Sequence, residues 1–124
     1  MTQLSEAKKG IITEQMREVA RSEKIDVEVI RRRVAEGKVI IPFNPIHSPK
    51  ALGIGKGLRV KVNANIGTSR EHCNLEEEIE KAKVALKYGA HAVMDLSTGG
   101  DLDKIRENLL KVVNVPFGLS LIHI

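Results

Sequence analysis

The sequence predicts an α/β fold in which an N-terminal helical region is followed by the first two to three βα units of a parallel (β/α)8-type barrel. Hydrophobic residues make up 42% of the 124 residues and aromatic residues only 2%, so the core must be built from Val, Ile, Leu and Ala. After residue 58 the apolar segments follow the order strand, helix, strand, helix, strand. This order requires right-handed crossovers and a parallel sheet. A closed barrel needs roughly 250 residues, so we expect the barrel to be incomplete.

Two regions are predicted along the chain. Residues 1–57 should form the helical region and a connecting loop, and residues 58–124 the truncated start of the barrel domain. Within the first region, Thr13 and Asp26 are good N-cap residues, each followed by apolar residues at helical spacing. The second helix is expected to end at Gly37, because glycine is the usual residue after a helix C-terminus.

Strands are predicted from apolar runs and from period-two alternation. Residues 39–41 form a short apolar strand, and residues 43–57 are predicted to be loop. The first barrel strand begins at Leu58, and its alternating apolar residues are Val60, Val62, Ala64 and Ile66. Two further strands are predicted, one over residues 92–96 and one beginning at Val115.

The two helices between these strands have clear start signals. Asn74 can cap the first helix, with Glu77 three residues later, and Asp101 can cap the second. Glu77 and Lys81 stand four residues apart, so we predict an ion pair between them.

Charge and composition bear on partners and location. The net charge of +4 includes the run Arg31, Arg32 and Arg33, which we expect to form the solvated face of a helix. Few aromatic side chains are available for stacking bases, so no nucleic acid partner is predicted. No apolar run approaches the roughly 18 residues of a membrane span. Cys73 is the single cysteine and residues 1–9 lack a signal-peptide core, which predicts a cytoplasmic protein with no membrane partner.

Ligand sites in parallel α/β folds lie beyond the carboxyl ends of the strands. Candidate positions there are Asn63, Asn65, Gly67, Thr68 and Ser69 after the first strand, and Met94, Asp95, Ser97, Thr98, Gly99 and Gly100 after the second. Residues 120–124 would follow the third strand. The four histidines show no pair at metal-ligand spacing, so no metal site is predicted.

Four of these candidates have more than one interpretation. Asn63 and Asn65 carry amides that need partners, which a polar ligand or the neighbouring strands could supply. Met94 is ordinarily a core residue. Asp95 is expected to be a buried carboxylate held by loop amides.

Several segments occur together in a recognisable order: VNANIGTS at residues 62–69, EEEIE at 76–80 and VMDLSTG at 93–99, preceded by AKKGIIT at 7–13 with Met16 and by VIIP at 39–42 with Asn44 and His47. Together they resemble the phosphomethylpyrimidine synthase family of thiamine biosynthesis. The resemblance covers nearly the whole chain to Gly118.

The resemblance implies a cytoplasmic carbon–carbon lyase that uses S-adenosylmethionine and a 4Fe–4S cluster, with zinc also bound by the full-length enzyme. It would convert aminoimidazole ribotide into hydroxymethylpyrimidine phosphate by radical chemistry, and homodimerisation is expected. The family's substrate-contacting Asn and Met correspond to Asn65 and Met94 here.

The chain departs from the family pattern from Leu119 onward, and His123 stands where the family has a substrate-binding Tyr. We expect residues 119–124 to be a non-native tail on an N-terminal fragment. The family's cluster cysteines and zinc histidines have no match in this chain, so neither catalytic residues nor metal ligands are expected in it, and it should be inactive alone. The alternative is a non-catalytic α/β ligand-binding or interaction module.

Overall fold

The computed structural model describes residues 2–120, which form two compact units. The helical unit comprises residues 2–44 and 51–60, and the sheet unit comprises residues 45–50 and 61–120. The prediction that residues 1–57 and 58–124 form separate domains stays a prediction. Residues 121–124, which include His123 and most of the predicted end of the third strand, lie outside the described residues.

The helical unit contains three helices: α1 (Gln3–Lys8), α2 (Glu14–Glu23) and α3 (Val27–Ala35). The Thr13 hydroxyl accepts a hydrogen bond from the Met16 amide at 3.2 Å, and Asp26 accepts one from the Glu28 amide at 2.9 Å. Both predicted N-caps are therefore confirmed. α1 was not predicted, because six residues are too few to show a helical apolar period.

Apolar packing holds the helical unit together. Its buried core consists of Ala7, Met16, Val19, Ala20, Ile30, Val34, Val39, Ile41 and Ala51. β1 (Val39–Ile40) confirms the predicted short strand and pairs antiparallel with β2 (Ile54–Gly55). β2 lies within the predicted loop, so that prediction is wrong there. Gly55 has a φ of 143°, and a Cβ atom on it would lie 2.2 Å from the Lys38 carbonyl oxygen, so glycine permits this close pairing.

The predicted solvated face of three arginines is only partly present on α3. Arg31 donates a hydrogen bond to the Ala7 carbonyl at 2.6 Å, and Arg33 packs so closely on Gly57 that a Cβ there would lie 2.6 Å from its Nη1. Arg32 is exposed. The Arg31 guanidinium therefore has a polar partner inside the unit, whereas Arg33 Nη1 is buried with no hydrogen-bond partner in the described part of the chain. A run of charges did not by itself indicate exposure.

The sheet unit follows the predicted alternation. Its elements are β3 (Asn63–Ile66), α4 (Leu75–Lys87), β4 (Ala92–Asp95), α5 (Leu102–Val112) and β5 (Phe117–Leu119). The strands form a parallel sheet in the order β3-β4-β5, which confirms the α/β class and the parallel sheet. Asn74 and Asp101 cap α4 and α5 as predicted.

β3 is shorter than the predicted strand, which began at Leu58. The ladder starts where Asn63 pairs with Ala92, the first residue of β4, and the Val62 carbonyl just before it accepts hydrogen bonds from the His91 and Ala92 amides at 2.9 and 3.3 Å. Val60 and Val62 are 91% and 58% exposed. The apolar alternation therefore extends to exposed residues that precede β3.

The two faces of the sheet differ. Ile66 and Val93 pack with α4 and α5 in a buried core completed by Ala82, Ile105, Leu109 and Val113. Because strand side chains alternate, Asn63, Asn65, Met94 and Gly118 lie on the opposite face, which we call the open face. Among residues 2–120, no helix combines the length and apolar character that crossing a bilayer requires.

Candidate functional site

A row of three residues crosses the open face near the carboxyl ends of the strands. Asn65 on β3 is paired in register with Met94 on β4, and Met94 with Gly118 on β5. A Cβ atom on Gly118 would lie 3.6 Å from Met94 Cε, so the thioether extends over the glycine. The sequence placed Asn65 and Met94 at two strand ends, and the structure makes them direct neighbours.

The two asparagines of β3 bond to each other. Asn63 Nδ2 donates a hydrogen bond to Asn65 Oδ1 at 2.8 Å, and both side chains are exposed. The sequence led us to expect a polar ligand or a neighbouring strand as the partner of these amides, and the structure shows a contact within β3 instead. Within the described part of the chain the Asn65 Nδ2 group has no acceptor, so it can donate to a bound molecule.

The loops after β3 and β4 are joined by buried polar contacts. The Thr68 amide donates to Ser97 Oγ at 3.0 Å, and Thr68 Oγ1 donates to the Gly99 carbonyl at 2.6 Å. The Thr98 amide donates to the Thr68 carbonyl at 2.9 Å. Four positions that the sequence proposed as ligand contacts therefore bond to each other, and these hydrogen bonds join the two strand ends.

Asp95 belongs to the helix side of the sheet. Its Oδ1 accepts hydrogen bonds from the amide and the hydroxyl of Ser97, the former at 3.0 Å, and its Oδ2 lies 3.5 Å from Arg106 Nε on α5. The side chain is fully buried. The prediction of a buried carboxylate held by a loop amide is confirmed, and the ion pair with α5 is an addition.

Glu78 on α4 was not singled out from the sequence. It is 1% exposed, accepts a hydrogen bond from the Gly67 amide at 2.8 Å and pairs with Lys81. The predicted pair of Glu77 with Lys81 is therefore replaced by a pair of Lys81 with Glu78, one residue later in the chain. Glu78 stands three residues after Leu75, on the apolar stripe of the helix. A carboxylate within an apolar stripe is the sequence feature that could have identified Glu78 as a buried polar residue.

Glu77 instead contacts the loop that precedes α4. Its Oε2 lies 2.5 Å from His72 Nε2, and both side chains are more than half exposed. The hydrogen bond from His72 holds the pKa of the Glu77 carboxyl below its ordinary value of 4.5. This lowering of the Glu77 pKa therefore arises from a contact on the protein surface.

The residues present do not fit a metal cofactor. Residues 2–120 contain no group of three or more His, Cys, Asp or Glu side chains that could hold a metal ion. The single cysteine, Cys73, donates to the Gly99 carbonyl at 3.5 Å, whereas a 4Fe–4S cluster is held by several thiolates.

The profile of the Radical SAM ThiC family matches residues 2–123. The chain is 60% identical over 119 residues to the phosphomethylpyrimidine synthase of Pyrococcus furiosus. It is 56% identical over 120 residues to the Thermus thermophilus enzyme of that name, and 54% over 118 residues to phosphomethylpyrimidine synthase 1 of Methanosarcina mazei. Each match covers 95% of this chain and 28% of the relative, so the chain spans just over a quarter of the length of these relatives. The chain belongs to the Radical SAM ThiC family.

Proposed function

We propose that this chain supplies the N-terminal part of a phosphomethylpyrimidine synthase, which converts aminoimidazole ribotide into hydroxymethylpyrimidine phosphate in thiamine biosynthesis. The observation that carries the proposal is the row of Asn65, Met94 and Gly118 on the open face, at the edge of the sheet where parallel α/β folds bind ligands. Membership of the Radical SAM ThiC family supports the proposed class of reaction.

In this proposal β3, β4 and β5 are the first three strands of a (β/α)8 barrel, and residues 58–124 begin the catalytic domain. Two features support this proposal. The three strands are parallel, and strands that follow each other in the chain are neighbours in the sheet. The row of Asn65, Met94 and Gly118 lies on the face away from the helices, which is the interior face in a barrel.

Asn65 and Met94 are proposed to contact the ribotide. The Asn65 amide group supplies a donor for an oxygen of the ligand, and the polarizable Met94 thioether supplies a surface for its imidazole ring. The exposed position of Asn65 and the half-buried position of Met94 leave both accessible from the open face.

The complete enzyme is proposed to be a cytoplasmic, homodimeric carbon–carbon lyase that uses S-adenosylmethionine, a 4Fe–4S cluster and zinc, without nucleic acid or membrane partners. The cluster and zinc ligands are proposed to come from outside the 124 residues. This segment would contribute substrate contacts and no catalytic residue, so the chain alone is proposed to be inactive.

A chimera tests this function. The matched 119 residues of the Pyrococcus furiosus synthase would be replaced by this chain, and formation of hydroxymethylpyrimidine phosphate would be measured. We expect product from the chimera and a loss of about tenfold or more on Asn65→Ala, because a donor to the ligand is removed.

Asn108→Ala is the matched control, since Asn108 is half-buried on α5, away from the open-face row, and its amide donates to the Lys104 carbonyl at 2.8 Å. It should leave the rate unchanged. A folded chimera that carries its cluster and makes no product would contradict the proposal and favour the non-catalytic module.

A further inference from the structure

A buried carboxylate on α4 is joined to the end of β3. Carboxylates are rarely buried unless they are paired, and Glu78 has two partners: the Gly67 amide at 2.8 Å and the Lys81 ammonium group. Lys81 is about half exposed, whereas the Glu78 side chain is 1% exposed. The hydrogen bond to Gly67 is therefore the contact made inside the unit.

Gly67 lies between this carboxylate and the end of the neighbouring strand. It has a φ of 151°, and a Cβ atom on it would lie 2.6 Å from Leu96 C and from Ser97 N. The backbone of β3 therefore passes the backbone after β4 at a distance that only glycine allows. Whatever fixes the Gly67 amide also fixes where β3 ends relative to β4.

The end of β3 determines the place of Asn65. Asn65 stands two residues before Gly67, and Ile66 between them packs towards the helices. Because side chains alternate along a strand, a change in register would move Asn65 away from Met94 and turn its side chain towards the helices. The open-face row therefore depends on a contact made on the other face.

We propose that Glu78 is a positioning residue for the ribotide site: its carboxylate holds the Gly67 amide, and this hydrogen bond keeps Asn65 beside Met94. The inference rests on the proposed function for the identity of the ligand. The positioning itself is a property of the ligand-free chain, so the two can be tested apart.

The test uses the full 124-residue chain labelled with 15N and with 13C at the methionine methyl groups. Spectra are recorded without ligand and during titration with aminoimidazole ribotide, for the wild type, Glu78→Ala, Glu78→Asp and Glu78→Gln. Glu80→Ala is the matched control, because Glu80 also pairs with a lysine three residues later, Lys83, but is exposed.

In the ligand-free spectra, we expect Glu78→Ala to move the Met94 methyl and Asn65 side-chain amide signals. Glu78→Gln should restore them towards the wild type, because its carbonyl oxygen can still accept from Gly67. Glu80→Ala should leave both unchanged. The Met16 methyl, buried in the helical unit, should stay in place in every variant and reports that this unit remains folded.

In the titrations, Glu78→Ala should weaken ribotide binding by about tenfold, the loss typical of one hydrogen bond to a charged group. If Glu78→Ala unfolds the sheet unit, the Glu78→Asp variant tests the positioning role instead. It keeps the negative charge but moves the carboxylate away from Gly67 by one methylene group. Unchanged Asn65 and Met94 signals in a folded Glu78→Ala or Glu78→Asp chain would overturn the proposal. A wild-type chain that binds no ribotide would contradict the proposed function, and the ligand-free spectra would still decide the positioning.

Discussion

The helical unit and the sheet unit bury different kinds of side chain. In the helical unit the buried core is apolar, and its buried charged residue, Glu6, pairs with Lys9 at 3.2 Å. In the sheet unit the buried polar residues are Thr68, Glu78, Asp95 and Ser97. All four contact the backbone at the carboxyl end of β3 or β4. Apolar packing organises one unit, and hydrogen bonding organises the strand ends of the other.

This difference has an energetic meaning. Apolar burial is non-directional, so it stabilises a unit without fixing a single geometry at any one point. A buried polar group must meet a partner at a defined distance and angle, because leaving it without one is unfavourable by about 1–3 kcal/mol. The polar contacts are concentrated where the open-face row needs a fixed register. The predictions below separate these two kinds of stabilisation.

The largest effect is expected from apolar truncation, and it should be similar in both units. Met16 and Leu109 are 0% exposed in their respective cores, so Met16→Ala and Leu109→Ala should each lower the free energy of unfolding by about 2–5 kcal/mol. Urea unfolding followed by the amide signals of each unit checks this. Leu110→Ala is the control, since Leu110 is 37% exposed. A loss at Leu109 no greater than at Leu110 would show that the sheet unit does not depend on this core.

A smaller effect is expected from removing a buried polar partner in the sheet unit. Asp95→Ala should lower the free energy of unfolding by about 1–3 kcal/mol, because the Ser97 amide and hydroxyl lose their acceptor. Asp95→Asn keeps one oxygen acceptor and should recover part of the loss. The same urea experiment measures both.

The control for Asp95 is Asp103→Ala, an exposed acidic residue in the first turn of α5. It should change the free energy of unfolding by less than Asp95→Ala. Equal losses of unfolding free energy for the two substitutions would contradict the difference proposed between the two units. Buried polar contacts at the strand ends would then contribute no stability beyond that of an exposed residue.

Local features of the fold were predictable from the sequence. The caps of α2 and α4 were found because a capping side chain reaches only three residues along the chain. Period-two alternation likewise placed Asn63 and Asn65 on one face of β3. The short elements α1 and β2 were missed, because too few residues carry any period.

The rest of the site depends on contacts between distant residues. Register alone brings Asn65 beside Met94, and the partner of Glu78 is a backbone amide 11 residues earlier. No spacing rule identifies such a partner, so α4 was expected to pair Lys81 with Glu77. The resemblance to a known family supplied Asn65 and Met94 as candidates, whereas Glu78 became visible only through its burial.

The smallest effect expected is a shift of pKa on the surface of each unit, where neither kind of burial contributes. The Arg31 hydrogen bond lowers the pKa of Glu28 below its ordinary value of 4.5, and the His72 hydrogen bond does the same for Glu77. A lowered pKa in the folded chain means that the carboxylate stabilises the fold above the unfolded pKa, and that this contribution disappears as pH falls through the folded value. Carboxyl 13C titration should place both below 4.5, and Arg31→Ala and His72→Ala should raise the pKa of the respective partner. If His72→Ala left the Glu77 titration unchanged, the contact between the loop before α4 and the helix would not form in solution, whereas the buried contact of Glu78 with Gly67 would stand unaffected.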